Sequence, residues 1–303
     1  MNKSLPKTGI PYADRAWHIC TGCSGEKAEG YTGKGISEGC QNCWAFTLAN
    51  RFSKIYGKNF KHKVYIERLT QPWNTKDPSL VFISPMGDIT NLNGSDEWEV
   101  EGVIDGSPHL YLQLSKHPKG FDQHISGLPN VWTGVSVESP KYLSRLDDIP
   151  WEAQSPSGRR WLSIEPYIER IPIEELEARK DLFEWVVIGG EQGTKVRLIE
   201  RDWFIPIWEF CQKYNKAFFF KQWGKDGTNY KHQFGTNINT AQLQLMNINQ
   251  LGIYDNDPEQ YSKYSKFAQI EQTRQFPIAF AEHFEKQGIM DKTIGKLKIP
   301  LKS

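Results

Sequence analysis

No stretch of the 303-residue sequence is apolar over the length needed to span a bilayer. The opening Met1-Asn2-Lys3-Ser4-Leu5-Pro6 carries no apolar run of the kind a secretory signal needs. A cytoplasmic protein without a membrane partner is the expectation. Surplus charge is equally scarce, with 37 Lys and Arg against 36 Asp and Glu. Nothing in that balance suggests a concentrated basic face gripping duplex nucleic acid, although a local basic groove stays open. No internal repeat or long low-complexity tract is present. Cysteine is sparse and uneven: of five, Cys20, Cys23, Cys40 and Cys43 fall within 24 residues, and Cys211 stands alone. In a reducing compartment such a cluster binds metal or does chemistry more often than it forms disulfides.

What is present is aromatic and periodic. Aromatic residues make up 13% of the chain, including 11 Trp, which argues for a folded core. From about residue 60 to 225, short β-branched or aromatic runs alternate with polar or amphipathic stretches. Strands are expected at Arg15 to Ile19, Val64 to Arg68, Leu80 to Ile83, His109 to Leu114, Trp132 to Val137, Arg160 to Ile164, Trp185 to Ile188 and Ala217 to Phe220. Several are almost continuously apolar, as strands buried on both faces of a parallel sheet are. About eight βα units predict an α/β fold, a full or partial barrel of TIM type, over residues 1–225. An open doubly wound sheet is the alternative. Residues 226–303 read as an appended, mostly helical extension, with helices expected at Thr240 to Gln250 and Pro277 to Gln287. Polar residues close nearly every strand: Asp88 after Ser84-Pro85-Met86-Gly87, Lys116, Glu138, Glu165, Glu191 after Gly189-Gly190, and Lys221-Gln222. In parallel α/β folds this edge is where ligands bind, so a polar-lined mouth is expected.

The cysteine spacing is Cys20-x2-Cys23, sixteen residues, then Cys40-x2-Cys43. Two CxxC pairs so separated read as a four-thiolate zinc site. The context points elsewhere, because Trp44, Leu48, Phe52 and Ile55 recur at helical spacing directly after the second pair. That order places the cluster on the first βα loop, at the ligand-binding rim, with a thiolate favoured by the positive end of a helix.

These residues also resemble a known family. Ala16-Trp17-His18-Ile19-Cys20-Thr21-Gly22-Cys23 and Glu38-Gly39-Cys40-Gln41-Asn42-Cys43-Trp44-Ala45 are similar to the signature of the phage gene-product thirty-seven/sixty-eight family, a three-cysteine-motif group of largely unassigned function. The likeness continues through Phe82-Ile83-Ser84-Pro85-Met86-Gly87-Asp88, Val131 to Glu138, Ser163-Ile164-Glu165-Pro166, Ile188 to Gly193 and Phe219 to Gly224. That family is similar to radical S-adenosylmethionine (SAM) enzymes. The resemblance implies a [4Fe-4S] cluster on Cys23, Cys40 and Cys43, with Cys20 standing where the family has no cysteine. Three thiolates would leave one iron open to a small molecule, here SAM, and an electron donor would be a partner. Gly189-Gly190-Glu191 resembles the element that holds the SAM amino group. Glu165, Lys221, Asp88 and Glu138 are the candidate catalytic residues at the mouth. The substrate is expected to be a small molecule, a modified nucleobase or nucleotide being suggested by the phage association. Two other readings stand beside this one. In the first, Cys20 joins the other three around structural zinc and the barrel binds nucleic acid or a protein. In the second, Asp88, Glu138 and Glu165 hold a divalent ion for nucleic-acid chemistry.

Overall fold

The computed structural model describes residues 3–23, 37–56, 60–150, 159–192, 196–197, 199–224, 266–267, 269–289, 291–294 and 297–299. Seven strands form one sheet, all parallel: β1 (Arg15–Trp17), β2 (Leu80–Ile83), β3 (Leu110–Ser115), β4 (Val131–Ser136), β5 (Arg160–Ile164), β6 (Trp185–Gly189) and β7 (Ala217–Gln222). They neighbour each other in chain order, and the sheet curls into a half-barrel. Each crossover carries helical structure, as parallel pairing requires. The main helices are α1 (Trp44–Arg51), α2 (Gly94–Asp105), α3 (Gln123–Gly127), α4 (Ile173–Glu177) and α5 (Phe204–Lys213). No helix among the described residues is long and apolar enough to cross a membrane.

The strands are apolar on both faces because the sheet has two cores. Val81, Ile83, Tyr111, Val135, Leu162, Ile164, Val186, Phe218 and Phe220 face the helices, packing with Val100 and Ile104 of α2 and Phe204, Ile207 and Cys211 of α5. Leu80, Phe82, Leu110, Leu112, Trp132, Trp161, Trp185, Val187 and Phe219 face the concave side. At Gly134 the sheet admits no side chain, since a Cβ there would run into the indole of Trp161.

One expectation is corrected. Val64 to Arg68 is not a strand of the main sheet. Its first part, Lys63–Val64, pairs antiparallel with Cys20–Thr21, and Ile66–Arg68 turns into a 3-10 helix. There Arg68 lies over the Tyr65 ring and donates to the His18 carbonyl at 3.0 Å, contacts that a straight strand would not make. Among the described C-terminal residues, Phe276, Phe280, Ala281, Phe284, Ile294 and Ile299 join the concave core. A sixth helix, α6 (Ile278–Lys286), places Phe280, Ala281 and Phe284 against Trp132 and Trp185. Thr273 to Gln275 run along the outer edge of β7, with Phe220 N–H donating to the Thr273 carbonyl and Gln275 N–H to the Phe218 carbonyl. Lys292 then pairs with Asp14, just before β1, at 2.7 Å. The expected helix Thr240 to Gln250 lies outside the described residues.

Candidate functional site

Strand alternation fixes which side chains reach the mouth. On β5, Trp161 faces the concave core and Leu162 and Ile164 face the helices, so Ser163 and, beyond the strand end, Glu165 continue the concave row. On β7 the same count carries Phe219 inward and, two residues on, Lys221. These residues line a cavity of about 390 Å³ together with Tyr12, Phe82, Ser84, Asp88, Leu114, Lys116, Ser136, Gly190 and Glu191. Cys23, Cys40, Cys43 and Trp44 also line it.

The four clustered cysteines are not equivalent. Cys43 caps α1, its sulfur accepting the Phe46 N–H at 3.4 Å, and burial pushes its thiol up. Cys40 ends a 3-10 turn, Glu38–Cys40, with Ser37 Oγ 3.5 Å from its sulfur. Cys20 is absent from the cavity wall and is fully buried in the helix-side core. Its N–H and its thiol both donate to Ser84 Oγ at 3.1 Å, and burial holds its thiol at about 12. Ser84 accepts both while in the left-handed region, at φ 48°. Cys23, Cys40 and Cys43 thus line one cavity, and Cys20 does not. Among the described residues no three His, Cys, Asp or Glu converge on a single ion. None of the five cysteines forms a disulfide, and Cys211 lies in the core of α5.

The carboxylates are already engaged. Glu138, expected at the mouth, lies beneath the cysteine turn. It is paired with Lys116, with Arg145 Nη1 at 2.7 Å, and with Ser37 Oγ at 2.5 Å. Burial alone would raise its carboxyl, but Lys116 and Arg145 outweigh burial and hold it below the usual range. A side chain on Gly39 would strike Glu138, which explains glycine in that turn. Glu191 accepts from the backbone N–H, Nε and Nη2 of Arg197, while Arg197 Nη1 donates to the Glu38 carbonyl at 2.8 Å. Glu191 therefore ties the cysteine turn to the edge of β6. The missing Cβ of Gly190 makes room for the Trp223 carbonyl rather than for a ligand, and Gly189 pairs with Gln222. Asp88 caps the 3-10 helix Ile89–Asn91, accepting from Thr90 N–H and Oγ1 and from Ser115 Oγ at 2.8 Å. Glu165 pairs with Lys221 beside Tyr12, whose ring packs on Trp161 and Phe219 at the deep end of the cavity.

With Asp88, Glu138 and Glu165 held apart by separate partners, a shared divalent ion has no ligand set here. Arg145, Arg197, Ser37 and Tyr12 are the residues that sequence reasoning did not single out for the site. The faint signals were Arg145 seven residues after Glu138 and Arg197 six after Glu191, both too far along the chain to read as pairs.

Fold and site together define a parallel α/β half-barrel with a thiol-bearing loop over its mouth. A family described as "Protein of unknown function (DUF5131)" matches residues 7–252, and the chain belongs to that family. No curated protein matches, and no solved structure does.

Proposed function

We propose that the protein is an iron–sulfur, radical-SAM-like enzyme of the kind the phage gene-product thirty-seven/sixty-eight family resembles. Cys23, Cys40 and Cys43 would be the cluster ligands. One observation carries the reading: these three thiols share a cavity wall with the polar strand ends, whereas Cys20 is turned into the core. When bound, a [4Fe-4S] cluster with SAM supplies one-electron cleavage and hydrogen abstraction. The chain's own residues do the rest. Lys116 lies close enough to Cys40 and Cys43 to offset thiolate charge. The Glu138 and Glu191 networks hold the Glu38–Cys40 turn against the strand ends, so that the thiols are presented before a cluster arrives. Phe82, Leu114 and Tyr12 keep water from the deeper end, where Glu165 and Lys221 meet substrate. Glu191, spent on Arg197, acts in this reading as a positioning residue and not as a partner for the SAM amino group.

Anaerobic purification followed by iron, sulfide and zinc analysis tests the proposal. Several irons with matching sulfide, and broad absorption near 400 nm, are the expected result. One tightly bound zinc and no sulfide after anaerobic reconstitution would favour a structural-zinc barrel instead.

A further inference from the structure

The end of the cavity beside Tyr12 shows what kind of molecule it accepts. Its two charges, Glu165 and Lys221, are paired with each other before any ligand enters, and elsewhere on the wall Lys116 is paired with Glu138 and Glu191 with Arg197. Asp88 is held by three hydrogen bonds from Thr90 and Ser115. An ionic ligand moving to the deep end would lose its hydration and meet no unspent countercharge among the described residues. An uncharged ligand does not carry that penalty.

Hydrogen-bonding capacity is nevertheless left over. Ser163 is 1% exposed, lines the cavity, and its hydroxyl has no hydrogen-bond partner. A buried hydroxyl without a partner is costly, and a ligand that satisfies it regains that energy. Among the described residues Glu165 engages only one of its side-chain oxygens, Oε1, with Lys221. Lys221 keeps two of its three N–H bonds, and its ammonium lies 5.8 Å from the centroid of the Tyr12 ring. The deep end therefore offers a strong donor beside a strong acceptor, with a hydroxyl two residues down the same strand from the acceptor. Phe82, Leu114 and Tyr12 surround them with apolar wall.

We propose that this end binds an uncharged lactam- or amide-bearing heterocycle, with Lys221 donating to its carbonyl oxygen, Glu165 accepting its N–H, and Ser163 meeting a second polar atom. The inference deepens the proposed function by naming the substrate class of the same cavity, and it rests on that cavity being the substrate site.

The test is calorimetric titration of the full-length protein with four probes of similar size: uracil and hypoxanthine as neutral lactams, benzoate as an anion and benzamidine as a cation. At least one lactam should bind saturably, and at least tenfold more tightly than either ion. Ser163→Ala and the paired change Glu165→Gln with Lys221→Met should each weaken the lactam at least tenfold, with melting temperatures recorded to show that the variants are folded. If a variant unfolds, Ser163→Thr, which keeps the hydroxyl, should retain binding. Tighter binding of benzoate or benzamidine, no binding of either lactam, or lactam affinity unchanged in the variants would each overturn the inference. Iron and sulfide analysis of the same preparations separates the two ideas. Lactam binding to a protein that takes up no iron would refute the cluster and leave the ligand class standing; an intact cluster with no lactam binding would do the reverse.

Discussion

Cys20 and Cys23 are three residues apart, yet their sulfurs have different surroundings. One is held by Ser84 in the core; the other lies on the cavity wall. Cys20→Ala should therefore keep the metal, while Cys23→Ala, Cys40→Ala and Cys43→Ala should each lose it, as read by iron content after anaerobic reconstitution. Equal loss in all four variants would mean that Cys20 is a ligand. Glu138 gives a second prediction. Glu138→Gln leaves Lys116 and Arg145 buried beside a neutral amide, and breaking such a network costs about 3–5 kcal/mol. Denaturant unfolding measures it. Because the folded carboxyl lies below its ordinary value, its contribution is complete above the unfolded value of about 4.3 and is lost as pH falls through the folded one. The variant should accordingly show a shallower loss of stability on acidification than the wild type. The sequence announces Glu138 as a polar strand-end residue but not its fate. Its partners Ser37, Lys116 and Arg145 come from three different connections, the first 101 residues away, and no local pattern links them.

The strands of the sheet were legible because burial on both faces leaves runs of apolar and β-branched residues. Arg160 to Ile164 was read to its boundaries, and the others to within two residues. Val64 to Arg68 has the same local composition. What separates it is a tertiary choice, namely pairing with Cys20–Thr21 and stacking of Arg68 on Tyr65, which composition does not encode. Helix α6 was legible as a helix, but its destination was not: Phe280 and Phe284 form an apolar stripe that fits any core. Its place inside the half-barrel makes Phe280 a structural residue. Phe280→Ala should destabilise by about 3–5 kcal/mol, from lost contact with Trp132 and Trp185 and the cavity left behind. A cost below 1 kcal/mol in equilibrium unfolding would show that α6 contributes little to that core.

The half-barrel has two unlike regions. The candidate site lies where the strands end, and Phe276, Phe280 and Phe284 from later in the chain pack into the concave core. A chain ending at residue 265 lacks Phe276, Phe280, Phe284, Ile294 and Ile299, all part of the concave core. It should lose cooperative melting and bind a dye specific for exposed apolar surface, and an unchanged melting profile would contradict the packing described above. The same arrangement sets a timetable for synthesis. Ribosomes release the chain from its N-terminus at roughly 5–20 residues per second, and domains tend to fold as they emerge. Here Cys23, Cys40 and Cys43 emerge well before Phe276, Phe280 and Phe284 of the concave core. Roughly 10–50 seconds of translation therefore separate the thiols from the scaffold that presents them. Until α6 emerges, Trp132 and Trp185 lack the cover that Phe280 gives them in the finished fold.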